Sequence, residues 1–245
     1  AGPALVGNTS FCDYPPAAQT LPKVGGFAAS TISVERILAL KPDLVVTAGA
    51  MHGVIAVALA RLKIPVFVWD PGDFASIATC MESLGTLSAH GPEAGKAAAA
   101  MLASIESVRS RLASVPREKR PTVFWEMYDD PLMTCGASTF PHAIIEAAGG
   151  RDLFSDLPGQ WPRISGEEVI RRAPEWILGA DDHGDKLTVA GLAGRPGWRQ
   201  VPAVSQGRVA LIPANLVSRA SPRVAEGVQA VAAILWPALF PKASK

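Results

Sequence analysis

The stretch SVERILALKPDLVV at Ser33 to Val46 returns in nearly the same words as SGEEVIRRAPEWIL at Ser165 to Leu178. Both read Ser, any residue, Glu, an aliphatic at the fifth place, Pro at the tenth and an apolar run after it. Each word has a physical task. Ser can cap a helix by accepting from a free backbone N–H, and Glu in the first turn faces the positive end of the helix dipole. The residue before Pro42 or Pro174 disfavours the helical region, so the helix stops there. DLVVTAG, closed by Gly49, then suits a strand buried on both faces of a parallel sheet. The repeat is a helix, a tight turn and a strand, used twice, and it predicts two lobes. At 245 residues each lobe would bury its own core.

The rest of the chain supports a parallel α/β architecture. After the first repeat come a helical stretch, Pro65 and a second short strand, Val66 to Trp69, then a helix over about 74–88. From Pro92, placed for a first helical position, nothing interrupts the run to Val115 before Pro116. At about 1.5 Å per residue such a helix reaches from one lobe to another. TVFWEMY opens a second lobe, followed by a helix near 139–148, a loop over 151–164, the second repeat, a strand at 208–213 and a last helix capped by Ser221. The expected division is residues 1–90, a linking helix at 91–116, and residues 117–245.

Composition narrows the function. Apolar residues make up 49% and charged residues 18%, an ordinary globular balance, and a net charge of +1 argues against a nucleic-acid partner. No apolar run approaches the ~20 residues of a membrane span. Cys12, Cys80 and Cys135 are far apart, so one pair at most could bridge, and their spacing is not that of a zinc or redox site. GxSxG, GxxxxGK[ST], GxGxxG and HExxH are all absent. His90, His142 and His183 stand singly, and so does His52, which falls just past a strand's carboxyl end where α/β ligands bind. DDHGD at 181–185 and the carboxylates of MYDDP read as solvated turns rather than as a metal site or an acid/base pair. Large aromatics in loops are more telling: Phe11 and Tyr14 in FCDYPP, Phe27 in VGGFAAS and Trp161 in GQWPRIS. Such rings offer much contact area at little entropic cost.

FCDYPP, VGGF, ERILALKPDLVV, DPLMTCG, AAGGRDLF, WPRISGEEVI and SRASPR together resemble the substrate-binding proteins of bacterial vitamin B12, haem and iron-siderophore ABC importers. Tyr-Pro-Pro, WPRIS and SRASPR most resemble the cobalamin-binding members. The resemblance implies a class III periplasmic binding protein: two Rossmann-like α/β lobes with parallel sheets joined by one long helix. It implies a receptor without enzymatic activity or cofactor, a monomer located in the periplasm or at the outer face of the membrane. The implied ligand is cobalamin or a related corrinoid, held between the lobes by Phe11, Tyr14, Phe27 and His52 of the first and Met127, Trp161, Asn215 and Arg219 of the second. A haem would want Tyr14, Tyr128 or His52 on iron, and a ferric siderophore would favour Arg163, Arg219 and Arg223. Glu35 and Glu167 are implied to dock the permease, one per lobe. Family members usually open with a further strand and helix, and this sequence starts just beyond that unit, so the first lobe is expected to lack a strand.

Overall fold

The computed structural model describes residues 2–181 and 187–241. Two compact units emerge, Ala1–Asp70 with Glu82–Ala94, and Pro71–Met81 with Gly95–Lys245.

In the first unit, helix α1 (Val34–Ala39) leads to strand β1 (Val45–Ala48), and α2 (Gly53–Arg61) leads to β2 (Val66–Trp69). The strands pair in parallel from Val45↔Val66 to Ala48↔Trp69. Ile37 of α1 and Ile55 and Leu59 of α2 form the core with Val24, against half-buried Val45 and Val66. The expectation of a strand covered on both faces is not met. Thr47 is buried, whereas Val46 is 46% and Val68 48% exposed.

The two repeats fold alike. The Ser33 hydroxyl accepts from the Arg36 N–H at 3.1 Å, and the Ser165 hydroxyl accepts from the Glu168 N–H at 3.2 Å at the head of α6 (Gly166–Arg172). Both helices end before their proline, but not by an extended residue. Lys41 and Ala173, at the same place in each repeat, are left-handed with φ of 49° and 50°. The Lys41 N–H then reaches the Leu38 carbonyl and the Ala173 N–H reaches that of Val169, both at 3.0 Å. Closing these last helical carbonyls is what the left-handed turn achieves.

Helix α3 (Phe74–Leu87) is followed by α4 (Gly91–Arg111). α4 begins at Gly91, at the expected bound, with Pro92 second rather than first, and stops short of Val115. There the Leu112 and Ala113 N–H groups reach back only three residues, tightening the end and turning buried Leu112 inward. Ala98, Met101, Ile105 and Val108 form one buried stripe along it.

The second unit carries a four-stranded parallel sheet in the order β6 (Arg151–Asp152), β3 (Thr122–Trp125), β7 (Trp176–Ala180), β8 (Val209–Ile212). The β6 edge falls inside the expected loop; two residues carry too little periodic signal to show as a strand. A hairpin of β4 (Tyr128–Asp129) and β5 (Leu132–Met133) follows β3. On one sheet face, α5 (Phe140–Ala147) and α10 (Val224–Leu235) pack beside Val123; on the other, Phe124 meets Phe154, Val169, Ile177 and Trp198. Phe124 lies edge-on to Phe154 at 5.5 Å and to Trp198 at 6.2 Å. Short helices α7 (Val189–Ala193), α8 (Pro202–Ser205) and α9 (Ala214–Val217) complete the unit. The expected cap of the last helix is corrected: α10 starts at Val224 behind Arg223, and the Ser221 hydroxyl is buried without a partner among the described residues. Ser221 contributes its carbonyl instead, to the Val224 N–H.

Candidate functional site

Three aromatic side chains stand out of the first unit. Phe11 is 54%, Tyr14 59% and Phe27 57% exposed, and the Phe11 and Phe27 rings meet at 5.7 Å with a 60° tilt. Their loops are built to hold them. Asn8 Nδ2 donates to the Ala18 carbonyl at 2.8 Å, while Lys23 Nζ bridges Asn8 Oδ1 and that same carbonyl. This closes the segment bearing Phe11 and Tyr14. The Phe27 loop is pinched at its base by the Ser33 N–H on the Val24 carbonyl at 2.9 Å. Gly25 sits so close to Thr31 that a Cβ there would come 2.3 Å from its carbonyl oxygen. His52 is half-buried and spans from Ala48 to Phe27, with ring nitrogens at 3.2 and 2.8 Å from their partners.

In the second unit Met127 and Asn215 each follow the carboxyl end of a sheet strand, β3 and β8. Met127 lies just past β3, and its N–H donates to the Met133 carbonyl at 2.9 Å as the hairpin opens. The 160–164 segment adds on as a third strand: Met133 bridges Arg163, and the Thr134 and Gly136 N–H groups reach the Pro162 and Gln160 carbonyls. Half-buried Trp161 is thereby tied beside the hairpin that carries Met127. The fit is tight, because a Cβ on Gly136 would lie 2.0 Å from the Gly159 carbonyl oxygen. Asp129 ends β4, and Asp130 with Pro131 makes the turn of this hairpin. Asn215 is in α9 immediately after β8, and Arg219 follows it. The Asp181 carboxylate accepts from the Ala214 N–H at 2.7 Å and so heads α9. Asp181 is the one member of the DDHGD stretch among the described residues; the others, with His183, lie outside them. No group of three His, Cys, Asp or Glu among the described residues could hold a metal.

Glu35 and Glu167 are exposed and occupy the second position of their helices. The Ser33 hydroxyl donates to Glu35 at 2.9 Å, and backbone N–H and hydroxyl together hold that carboxyl below its usual range. The next residue in the second repeat, Glu168, does a different job. It binds Arg171 and Arg172, whose guanidinium groups hold its carboxyl at about 2. Glu167 stays exposed. It lines a shallow groove of about 500 Å³ together with Asp129, Leu132, Ser165, Arg195 and Trp198.

Two buried polar arrangements were not legible in the sequence. Glu126, at the end of β3, is 5% exposed and paired with Arg195 at 2.6 and 2.8 Å, and Arg195 lies 4.6 Å over the Trp198 ring. The ionic partners are 69 residues apart, too far for any local signal. Asp152 is buried at the edge strand, 2.8 Å from His142 Nδ1, and accepts from the Cys135 thiol at 3.6 Å. Asp152 pulls the His142 pKa up, while burial and that carboxylate push the Cys135 thiol well up. Such a thiol is not a nucleophile. All three cysteines are free.

A sequence profile of the family described as periplasmic binding protein matches residues 1–216. The chain is 26% identical over 244 residues to an uncharacterized ABC transporter substrate-binding lipoprotein of Bacillus subtilis (strain 168), covering 98% of this chain and 75% of that one. It is 33% identical over 178 residues to the vitamin B12-binding protein of Yersinia pestis (strain Pestoides F), covering 72% of this chain and 62% of that one. The aligned part is thus under two thirds of the Yersinia protein's length. Among solved structures, the periplasmic vitamin B12 binding protein of Vibrio cholerae superposes with a TM-score of 0.79 at 26% identity, over 96% of this chain and 89% of that one. A periplasmic heme-binding protein in complex with two hemes gives 0.83 at 25%, with the same two shares. The expected fold class and the expectation of a binding protein rather than an enzyme are both met: this chain, with its two α/β units and parallel sheets, belongs to the periplasmic binding protein family.

Proposed function

We propose that the protein is the solute receptor of an ABC importer that takes cobalamin or a related corrinoid. The observation that carries this reading is the set of three exposed aromatic rings, Phe11, Tyr14 and Phe27, on loops held by their own hydrogen bonds. Rings kept in water on braced loops have an occupant to meet, and their apolar, charge-poor surface suits a corrin. Met127, Trp161, Asn215 and Arg219 would supply the second unit's contacts. The relative named a vitamin B12-binding protein supports this choice of ligand. Glu35 and Glu167 would present one carboxylate from each unit to arginines of the permease, with the receptor working in the periplasm or at the outer face of the membrane, without a cofactor of its own and as a monomer.

A second reading, haem, is favoured by a specific observation: Tyr14 and Tyr128 are 59% and 50% exposed, and a phenolate can ligate iron. The solved heme-binding relative points the same way. Calorimetric titration with cyanocobalamin, haemin and a ferric siderophore tests the assignment. Tight one-to-one binding of cyanocobalamin alone is the expected result, and heat from haemin or the siderophore instead would move the receptor to the iron branch.

A further inference from the structure

His52 has a task that its polar contacts define. The Ala48 N–H points at Nδ1 from 3.2 Å, and a backbone N–H can only donate, so Nδ1 must present its lone pair. A neutral imidazole with a free Nδ1 carries its proton on Nε2. That nitrogen is 2.8 Å from the Phe27 carbonyl oxygen, which can only accept. One tautomer alone satisfies both contacts, and it leaves neither ring nitrogen for a metal or a ligand. Among the described residues this is the one hydrogen bond made by the Phe27 backbone. It ties the tip of a loop that is otherwise held at its base, through Val24 and Ser33 and through the Ser10 N–H on the Gly25 carbonyl at 2.8 Å, and internally, through the Thr31 hydroxyl.

We propose that His52 is a positioning residue: a neutral, Nε2-protonated strut that fixes the Phe27 carbonyl to the end of β1 and thereby aims the Phe11–Phe27 pair. The proposal rests on the reading of that pair as a ligand contact. It assigns His52 a role behind the binding surface rather than on it, and removes it as an iron ligand should haem be the cargo.

Two substitutions separate the halves of the strut. His52→Asn places an amide oxygen near the Nδ1 position but is too short to reach Phe27, whereas His52→Gln can place an amide nitrogen where Nε2 was. His52→Asn is expected to weaken binding of whichever of cyanocobalamin, haemin or ferric siderophore the wild type takes, by roughly five- to tenfold, the worth of one net hydrogen bond. His52→Gln should restore most of that loss. In a Phe27→Ala background, His52→Asn should cost nothing further, because the group it aims is gone. Nitrogen-15 spectra of the histidine rings in the ligand-free protein should show His52 with an unprotonated Nδ1 and a protonated Nε2. A ring protonated at Nδ1, or averaging between tautomers, would overturn the strut whatever the ligand. Wild-type affinity in His52→Asn would overturn its link to binding. If the wild type bound none of the three probes, the ligand-contact reading would fall, while the ring spectrum would still decide the strut.

Discussion

Gly136 and Trp161 show how a residue's effect depends on what lies across from it. A Cβ at position 136 would collide with the Gly159 carbonyl, and that segment continues into Trp161. Gly136→Ala is therefore expected to destabilise the protein by about 1–3 kcal/mol, as overpacking does, and to weaken ligand binding by displacing Trp161. Chemical denaturation and titration on the same variant check both. Trp161→Ala should weaken binding while leaving the denaturation midpoint nearly unchanged, since the indole is only half-buried. Ala173 offers the reverse case. At φ 50° it has a conformation that costs a residue with a Cβ about 1–2 kcal/mol, which Gly avoids. Ala173→Gly should raise the melting temperature, and an unchanged or lower value would show that the turn is not strained. The loop aromatics and the helix-capping serines were readable at this scale because their chemistry is local. Glu126–Arg195 and Asp152–His142 were not, because each joins residues that only the fold brings together.

If Glu167 docks the permease as proposed, the second repeat would separate stability from docking within a single turn of helix. In α6, Glu168 binds two arginines while Glu167 stays exposed at the edge of a groove, so the two should respond differently to mutation. Glu168 has an ordinary value of 4.5 and a folded value of about 2. Its contribution is therefore complete above about pH 4.5 and is lost as the pH falls through about 2. Glu168→Gln should flatten that part of the acid unfolding curve. His142 has the opposite sign: its pKa is raised from 6.5, so the stability it contributes is complete below that value and fades as the pH rises through the folded one. His142→Gln should cost more stability at pH 6 than at pH 9, by chemical denaturation. By contrast, Glu35→Ala with Glu167→Ala should spare ligand binding and abolish transport in a reconstituted importer. Loss of ligand affinity in that double variant would sink the division between binding and docking residues. Element positions were legible where a capping Ser, a proline or a buried stripe marks them. They failed at α10, where Ser221-Pro222 has the form of a helix start but the chain needs three more residues to turn in.

Over the whole molecule the charges nearly cancel. With a net charge of +1, binding of a corrinoid should change little between low and moderate salt, which calorimetry at two ionic strengths checks. Ligand at about a hundred times its dissociation constant should add about 2.7 kcal/mol to stability and raise the melting temperature accordingly. The sequence by itself determined the repeat, the α/β class with parallel strands, the long uninterrupted helix and the aromatics left in loops. Each of these follows from spacing, capping and composition, which act over a few residues. Tertiary structure alone decided that Val46 and Val68 stay exposed, that the Trp161 segment is stitched to the hairpin after β3, that Glu168 and not Glu167 takes the arginines, and that His52 is spent on Phe27. Those outcomes depend on which groups meet after chain reversal, and a hydrogen-bond partner 25 residues away leaves no mark on local spacing.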